Sequence, residues 1–309
     1  MQTTTTTTTT PPAASSWPTP ETTGVVDAAV LTPWTGSCDL HTAGQVIENK
    51  VFDCGLDVYV SGVTIRNSVI RGNEYHGVDS RAATGAPLVL EDVTFQPASG
   101  CWPYATAVGA QNLRATRVEI TGFGDAFGAS GNNVVFRDSY AKLCAPIGTE
   151  AHSDGFQGYL ATAATSDRPN VLDHNTIDQR CHDWTWVDGW HYEGAGNQAD
   201  QACEVTANVF WSDDSGDGLV VTDNLFRGGG FTIRVHTGAG HTVRGNVVER
   251  DSYSYGPVSS HCASIAWTAT ASPTSPSPAS RPTSRRSPAP TTSDRSEDDG
   301  HHGIKILMP

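Results

Sequence analysis

The sequence is poor in charge, in methionine and in long apolar runs. Only 17% of its 309 residues are charged, and 33 acids stand against 19 Lys+Arg for a net charge of −14. A chain without a basic excess has little with which to displace phosphate counterions, so no nucleic-acid partner is expected. No stretch of about 18 apolar residues occurs, so neither a membrane-spanning helix nor a membrane partner is expected. Seven cysteines form no CxxC pair, which argues against a zinc ribbon. A GxSxG elbow, a phosphate-binding P-loop and an HExxH motif are all missing. What the chain does have is 31 Gly and two Met, with abundant Thr, Asn and Val. That composition points to many short strands and turns rather than a helical bundle.

Both ends differ from the middle. Residues 1–30 read as a disordered linker, opening with Met1, Gln2, eight consecutive Thr and a Pro/Ala/Ser/Thr stretch. Such composition buries too little apolar surface to offset its ordering entropy, and it matches linkers that carry O-linked sugars. The segment has neither a basic start nor an apolar stretch, so it is no signal peptide, and secretion would require a targeting segment upstream. Residues 269–309 read as a second disordered segment, rich in Ser, Pro, Thr and Arg and then in acids around Asp298. The change of style after Trp267 fits a reading-frame error, which resequencing the coding DNA would settle. One domain, 31–268, lies between.

Cysteines 38, 54, 101, 144, 181, 203 and 262 are spread through that domain. Beside a linker they point to disulfides and a secreted, extracellular protein. The pairs Cys38–Cys54, Cys101–Cys144 and Cys181–Cys203 leave Cys262 over. Spacing alone leaves other connectivities, and reduced buried thiols, open.

The middle of the chain repeats. A phrase of β-formers, a polar residue and more β-formers recurs with anchors at Asn67, Asp92, Arg117, Asp138, Asn175, Asn224 and Asn246. The intervals are 25, 25, 21, 37, 49 and 22. The 37 reads as one unit plus an insertion, and the 49 as two units with the strand around Val205–Trp211 between. A period near 22–25 with short strands and no helices marks a solenoid whose turns must stack to make a core. The Asn and Asp anchors belong at tight bends, where left-handed backbone angles are needed.

Several phrases then become specific. Gly62-Val-Thr-Ile-Arg-Asn-Ser, Gly122-Phe-Gly-Asp-Ala-Phe-Gly, Ala151-His-Ser-Asp-Gly-Phe-Gln and Asp173-His-Asn-Thr-Ile resemble secreted proteins of the pectate-lyase-like superfamily, especially actinobacterial ones. The resemblance runs from about Leu31 to Ala266. It implies an all-β fold, a single-stranded right-handed parallel β-helix, and an extracellular polysaccharide as partner. It implies no particular activity, because that superfamily holds lyases, hydrolases, epimerases and non-catalytic members. Its galacturonan-hydrolase set is echoed only loosely in His152-Ser-Asp154-Gly, and the Arg-x-Pro-x-x-Arg of its pectate lyases is absent.

Three clusters are candidates for chemistry. In Glu150-Ala-His152-Ser-Asp154-Gly-Phe156-Gln157, strand alternation puts His152, Asp154 and Phe156 on one face and Ser153, Gly155 and Gln157 on the other. Gly124-Asp125-Ala-Phe127 matches it in pattern, so stacked turns would bring Asp125 and Asp154 about 4.8 Å apart. Carboxylates that close share a proton or hold a cation, here calcium. Arg234 and His236 share a strand face, and Arg234 is placed to neutralise a uronate on the same surface. Finally, His182 to Glu193 carries Trp184, Trp186, Trp190, His191 and Tyr192, suited to stacking on sugar rings.

The expectation is a monomeric lyase acting on an acidic glycan by β-elimination. His152 takes the C5 proton, Asp125 and Asp154 orient it or bind calcium, and Arg234 meets the carboxylate. Gln157, His236, Trp186, Trp190 and His191 bind substrate. The alternatives are a hydrolase using Asp125, Asp154 or Asp188, and a non-catalytic glycan-binding scaffold.

Overall fold

A computed structural model describes residues 17–180 and 205–260, apart from 73, 147, 148, 150, 251 and 254, together with 184–185, 191–192 and 266–267. The described strands form two long parallel sheets, of sixteen and nine strands, and a two-stranded hairpin of Trp184–Thr185 with His191–Tyr192. The fold is all-β and solenoid-like. Most rungs carry three short strands, for example Leu113–Thr116, Glu119–Thr121 and Phe123–Ala129, and in two the first pair runs on as Thr64–Ile70 or Leu88–Phe95. The first two belong to the larger sheet and the third to the smaller, and the two sheets do not close on one another. Leu113 pairs with Val134, Val134 with Asn170 and Asn170 with Leu219, so successive rungs stack in register.

The rungs are too small to hold a core singly, and the apolar side chains meet along the stack. Phe127, Phe136, Phe156 and Trp211 follow one another with ring centroids 4.2, 5.9 and 6.0 Å apart, all fully buried. Beside them runs a polar ladder that is equally buried. The Asn175 carboxamide accepts from the Ser139 amide (3.0 Å), Asn224 accepts from the Asn175 amide (2.8 Å), and Asn246 accepts from the Asn224 amide (3.0 Å). Each asparagine supplies the acceptor that the bend below it lacks, which is why polar residues are tolerated in this interior.

Two features of the repeat differ from the sequence reading. The bends with left-handed φ fall at Asn67, Asp92, Arg117 and Asp138, then at His174, Asp223 and Gly245. In the last three rungs the anchor asparagines therefore stand one residue past the bend and point inward. The interval of 49 is also one rung, not two: Asn170 pairs directly with Leu219, and Val205–Trp211 is the third strand of the rung that begins at Asn170. The extra length lies in an insertion between the second and third strands.

Residues 17–30, assigned to the linker by composition, are ordered along the bends. The Trp17 indole donates to the Asp223 carbonyl (3.2 Å), the Gly24 amide to the Arg117 carbonyl (2.8 Å), and the Val26 amide to the Asn67 carboxamide (2.9 Å). Gly24 sits at φ +77°, and a Cβ there would lie 2.4 Å from the Thr94 hydroxyl. Only glycine lets the strap pass so close. Backbone contacts to the ready-made bends offset what this polar segment lacks in apolar burial. The tail, 269–309, lies outside the described residues.

Cys38–Cys54 and Cys101–Cys144 are paired, with Cα–Cα separations of 6.5 and 5.8 Å. Two disulfides fit an oxidising compartment. Cys181, Cys203 and Cys262 lie outside the described residues. Among the described residues no helix is long and apolar enough to cross a membrane.

Candidate functional site

The outer face of the nine-stranded sheet carries a cleft of about 190 Å³. It is built by register rather than by any one segment. His76 pairs with Thr106 and Thr106 with Asp125, while Asp79 pairs with Gly109. Gly128 pairs with Gln157, Gln157 with Phe210 and Phe210 with Arg234. Gly109 and Gly128 leave the floor bare: a Cβ on Gly109 would meet the His76 ring at 3.7 Å, and one on Gly128 would meet the Thr106 methyl at 3.3 Å. Tyr75 and His76 wall one end, and Gln157 and Tyr159 the other. Both tyrosines are exposed, at 74% and 55%. Burial holds the His76 imidazole below its usual range, although Asp79 and Asp57 pull the other way, so it is neutral at pH 7.

Asp125 and Asp154 stand behind Thr106 and Gln157. The Asp154 amide donates to Asp125 Oδ1 (2.8 Å), and Thr106 Oγ1 donates to Asp125 Oδ2 (3.2 Å). The Ala207 amide donates to Asp154 Oδ1 (3.0 Å), and Gln157 Nε2 to Asp154 Oδ2 (3.3 Å). Stacking one carboxyl on the next thus satisfies the amides that the strand irregularity between Ser153 and Asp154 frees. Burial pushes Asp125 up to about 6, against the bonds from Asp154 and Thr106. Asp154 is raised well above its ordinary value by burial and by the Asp125 charge. The arrangement suits a held proton. Calcium takes about six to eight oxygen ligands. Here all four carboxylate oxygens already accept protein hydrogen bonds, and among the described residues no three His, Cys, Asp or Glu converge on a metal position. The donor set does not fit calcium.

A carboxyl whose pKa rises on folding opposes the fold wherever it is ionised. Asp125 goes from about 4 unfolded to about 6 folded. The folded chain therefore binds more protons between those values, and stability should rise as pH falls from about 7 to about 4. Asp125→Asn should flatten that rise, leaving only the share of the likewise raised Asp154, and stabilise the protein at pH 7 by roughly 1–3 kcal/mol. Urea unfolding at pH 7 and pH 5 measures both. Because the lowered His76 acts in the opposite direction, the difference between variant and wild type is the readout, and a variant with the wild-type slope would rule the account out.

The predicted facing of Asp154 needs correction. Phe156 enters the core, and Gln157, expected on the opposite face, lies beside Asp154 on the outside. The chain turns at Gly155, where a Cβ would lie 2.5 Å from the Asn208 carbonyl and 2.6 Å from the Ile177 side chain. Two consecutive residues, Gly155 and Phe156, consequently point inward, and simple alternation fails. His152 is exposed just before the strand Ser153–Gly158 and does not line the cleft. Arg234 lies in the outward row of Gln157, two rungs along, with its guanidinium 4.9 Å from the Phe210 ring centroid. Its charge reaches Asp154. His236 is bonded to the Ser259 hydroxyl (2.8 Å). Trp186, Trp190 and Asp188 lie outside the described residues, and of His191 only the backbone, in the hairpin, is described.

Sequence reasoning passed over His76, Tyr75, Thr106 and Tyr159. The available signal was Tyr75-His76 before the strand residues Gly77 and Val78, in a rung whose stacked partners carry Gly109 and Gly128 at one outward position.

No family model matches the chain, and neither a curated protein nor a solved structure was found to match it.

Proposed function

We propose that the protein cleaves an extracellular, uronate-containing polysaccharide by β-elimination in the cleft over Gly109 and Gly128. The observation that carries this reading is the place of the His76 imidazole, in the wall of a glycine-floored cleft between two exposed tyrosines. A glycan laid along the rungs meets aromatic rings, a base and amide donors in turn. His76, neutral, takes the C5 proton. The electrons form the C4–C5 double bond as the C4–oxygen bond breaks, and the leaving oxygen takes a proton from the hydroxyl of Tyr75, whose ring lies 4.7 Å from that of His76. Thr106 and Gln157 face the sugar with hydrogen-bonding groups, Gln157 being oriented by Asp154. Burial and the Asp125 charge push Asp154 towards its uncharged form, which lessens the repulsion an acidic glycan meets. Arg234, two rungs from Gln157, is about 9–10 Å along the stack. It is five rungs, about 24 Å, from His76, and so meets the carboxylate of a sugar several units along the chain rather than that of the reacting one.

His76 replaces His152 as the base because His152 is outside the cleft. A hydrolase would need its carboxylates against the sugar, whereas Asp125 and Asp154 are set behind other side chains. Secretion, a monomeric state and a right-handed parallel β-helix of the pectate-lyase-like kind belong to the same reading. The handedness is supported by the parallel crossovers, which are right-handed in about 98% of cases.

Digestion of a polyuronate panel with mass-spectrometric readout tests the proposal. Fragments one water lighter than hydrolytic ones are expected. Hydrated fragments would move the chemistry to the carboxylates, and glycan binding without any product would make the protein a scaffold.

A further inference from the structure

A second cavity lies on the other sheet, beneath the N-terminal strap. It encloses about 440 Å³ and is lined by Trp17, Pro18, Thr19, Pro20 and Glu21 from the strap and by Tyr140, Thr176, Leu225 and Arg227 from the rungs. Tyr140, Thr176 and Leu225 are direct register partners and form a row of the sixteen-stranded sheet. That volume falls within the range of small-molecule sites, roughly 300–1,000 Å³.

The lining is that of a binding site rather than a packing defect. Thr176 is 2% exposed, and its hydroxyl has no hydrogen-bond partner among the described residues. A buried hydroxyl left so is destabilising unless something completes it. Tyr140 sits on the next rung, and its half-buried phenol makes no hydrogen bond among the described residues. Burial, with the Asp178 charge, pushes that phenol up to about 12, so it stays a donor at any working pH. Trp17 is held by its indole bond to Asp223, which fixes the ring at the mouth. The chemistry needed is therefore a ligand with apolar faces for a ring and several hydroxyls for Thr176 and Tyr140. Charge narrows it further. The Arg227 charge is balanced by Glu249, Nε and Oε2 3.0 Å apart, although that buried Nε makes no hydrogen bond among the described residues, and Glu21 at the rim would repel an acid.

We infer that this cavity binds one or two neutral sugar units, independently of the cleft on the opposite sheet. It gives the strap a role that linker composition does not suggest. Residues 17–21 roof a pocket whose floor is made by the rungs.

The test is titration of the full chain with cellobiose, maltose and lactose, followed by ligand-observed NMR and tryptophan fluorescence. Wild type and His76→Ala should bind at least one of them alike. Tyr140→Phe, which removes one oxygen and leaves the strap in place, should weaken binding about threefold to tenfold. Trp17→Ala should weaken it about tenfold or more. No binding to any of the three sugars would overturn the proposal. So would binding that survives both strap-site substitutions, or binding lost in His76→Ala, which would place the sugar in the cleft. If Trp17→Ala fails to fold, Tyr140→Phe decides alone.

Discussion

Asp178→Asn is expected to lower the unfolding free energy at pH 7 by about 3–5 kcal/mol, the usual cost of removing one partner from a buried ion pair. Asp178 is the centre of the only buried cluster of its kind among the described residues. The Lys142 ammonium lies 3.0 Å from its Oδ1, Arg180 Nη2 2.7 Å from its Oδ2, and Arg227 Nη1 3.9 Å away. Glu249 accepts from Arg180 Nη1 (3.3 Å) and lies 3.0 Å from Arg227 Nε as an ion pair without a hydrogen bond. Burial alone would push Asp178 up, but the Arg180 bond and the Lys142 charge outweigh it and hold the carboxyl at about 2. It therefore adds stability above its unfolded value of about 4, and that stability is lost as pH falls from about 4 towards 2. Lys142 is brought down to about 8 by burial, against the pull of Asp178. Its charge is already costly, and without Asp178 only the Arg180 carbonyl among the described residues, which accepts from Nζ at 2.5 Å, offsets it. The penalty of Asp178→Asn should accordingly shrink as pH rises above about 8, because Lys142 then folds uncharged. Lys142→Met on the Asp178→Asn background should recover much of the loss. Urea unfolding at pH 7 and pH 9.5 separates these terms. A loss below about 1 kcal/mol, or one independent of pH, would show that water screens the cluster as it does surface pairs.

How far such features can be read beforehand depends on how local their causes are. The solenoid was legible because its cause repeats. Asn67, Asp92, Arg117 and Asp138 mark bends that recur at a near-constant interval, and every one has left-handed φ. The Asp125–Asp154 stacking was legible for the same reason, since the acid–small–aromatic phrase appears in both rungs. Where a single local choice intervened, the reading slipped. Gly155 turns the chain inward, and the alternation that should have separated Asp154 from Gln157 breaks. The last three bends moved onto His174, Asp223 and Gly245 because Asn175, Asn224 and Asn246 serve the interior ladder. The interval of 49 carried no mark that distinguishes an inserted loop from an extra rung. The cleft was hidden most thoroughly. Its walls come from four rungs and its floor from two missing side chains, so nothing about it exists in any one stretch of sequence. The order of Trp17 to Val30 was concealed too, since that segment is fixed by backbone bonds to distant bends rather than by its own composition.

His76→Ala is expected to cut turnover on a susceptible polyuronate by about 10²–10⁴-fold, the range for removal of a general base. His152→Ala should leave turnover within about twofold, because an exposed group outside the cleft transfers no proton in the transition state. The pH dependence carries a further signature. A base works only when unprotonated, and burial lowers the pKa of His76. The acid limb of the rate should therefore lie below about 6.5, the ordinary value for histidine. Asp79 and Asp57 pull in the other direction, so Asp79→Asn should move the limb to still lower pH. That shift distinguishes a base from a residue that merely shapes the wall, since loss of shape alters KM without moving the limb. The floor provides an independent check. Gly109→Ala places a methyl 3.7 Å from the His76 ring, in ordinary contact with it but inside the space assigned to the sugar. Its KM should rise while the melting temperature and the pH limb stay as in wild type. If His76→Ala keeps full activity and His152→Ala loses it, the cleft is not where the chemistry occurs. The polar pair behind it would then be architecture alone, holding the strand irregularity that the stacked carboxyls fill.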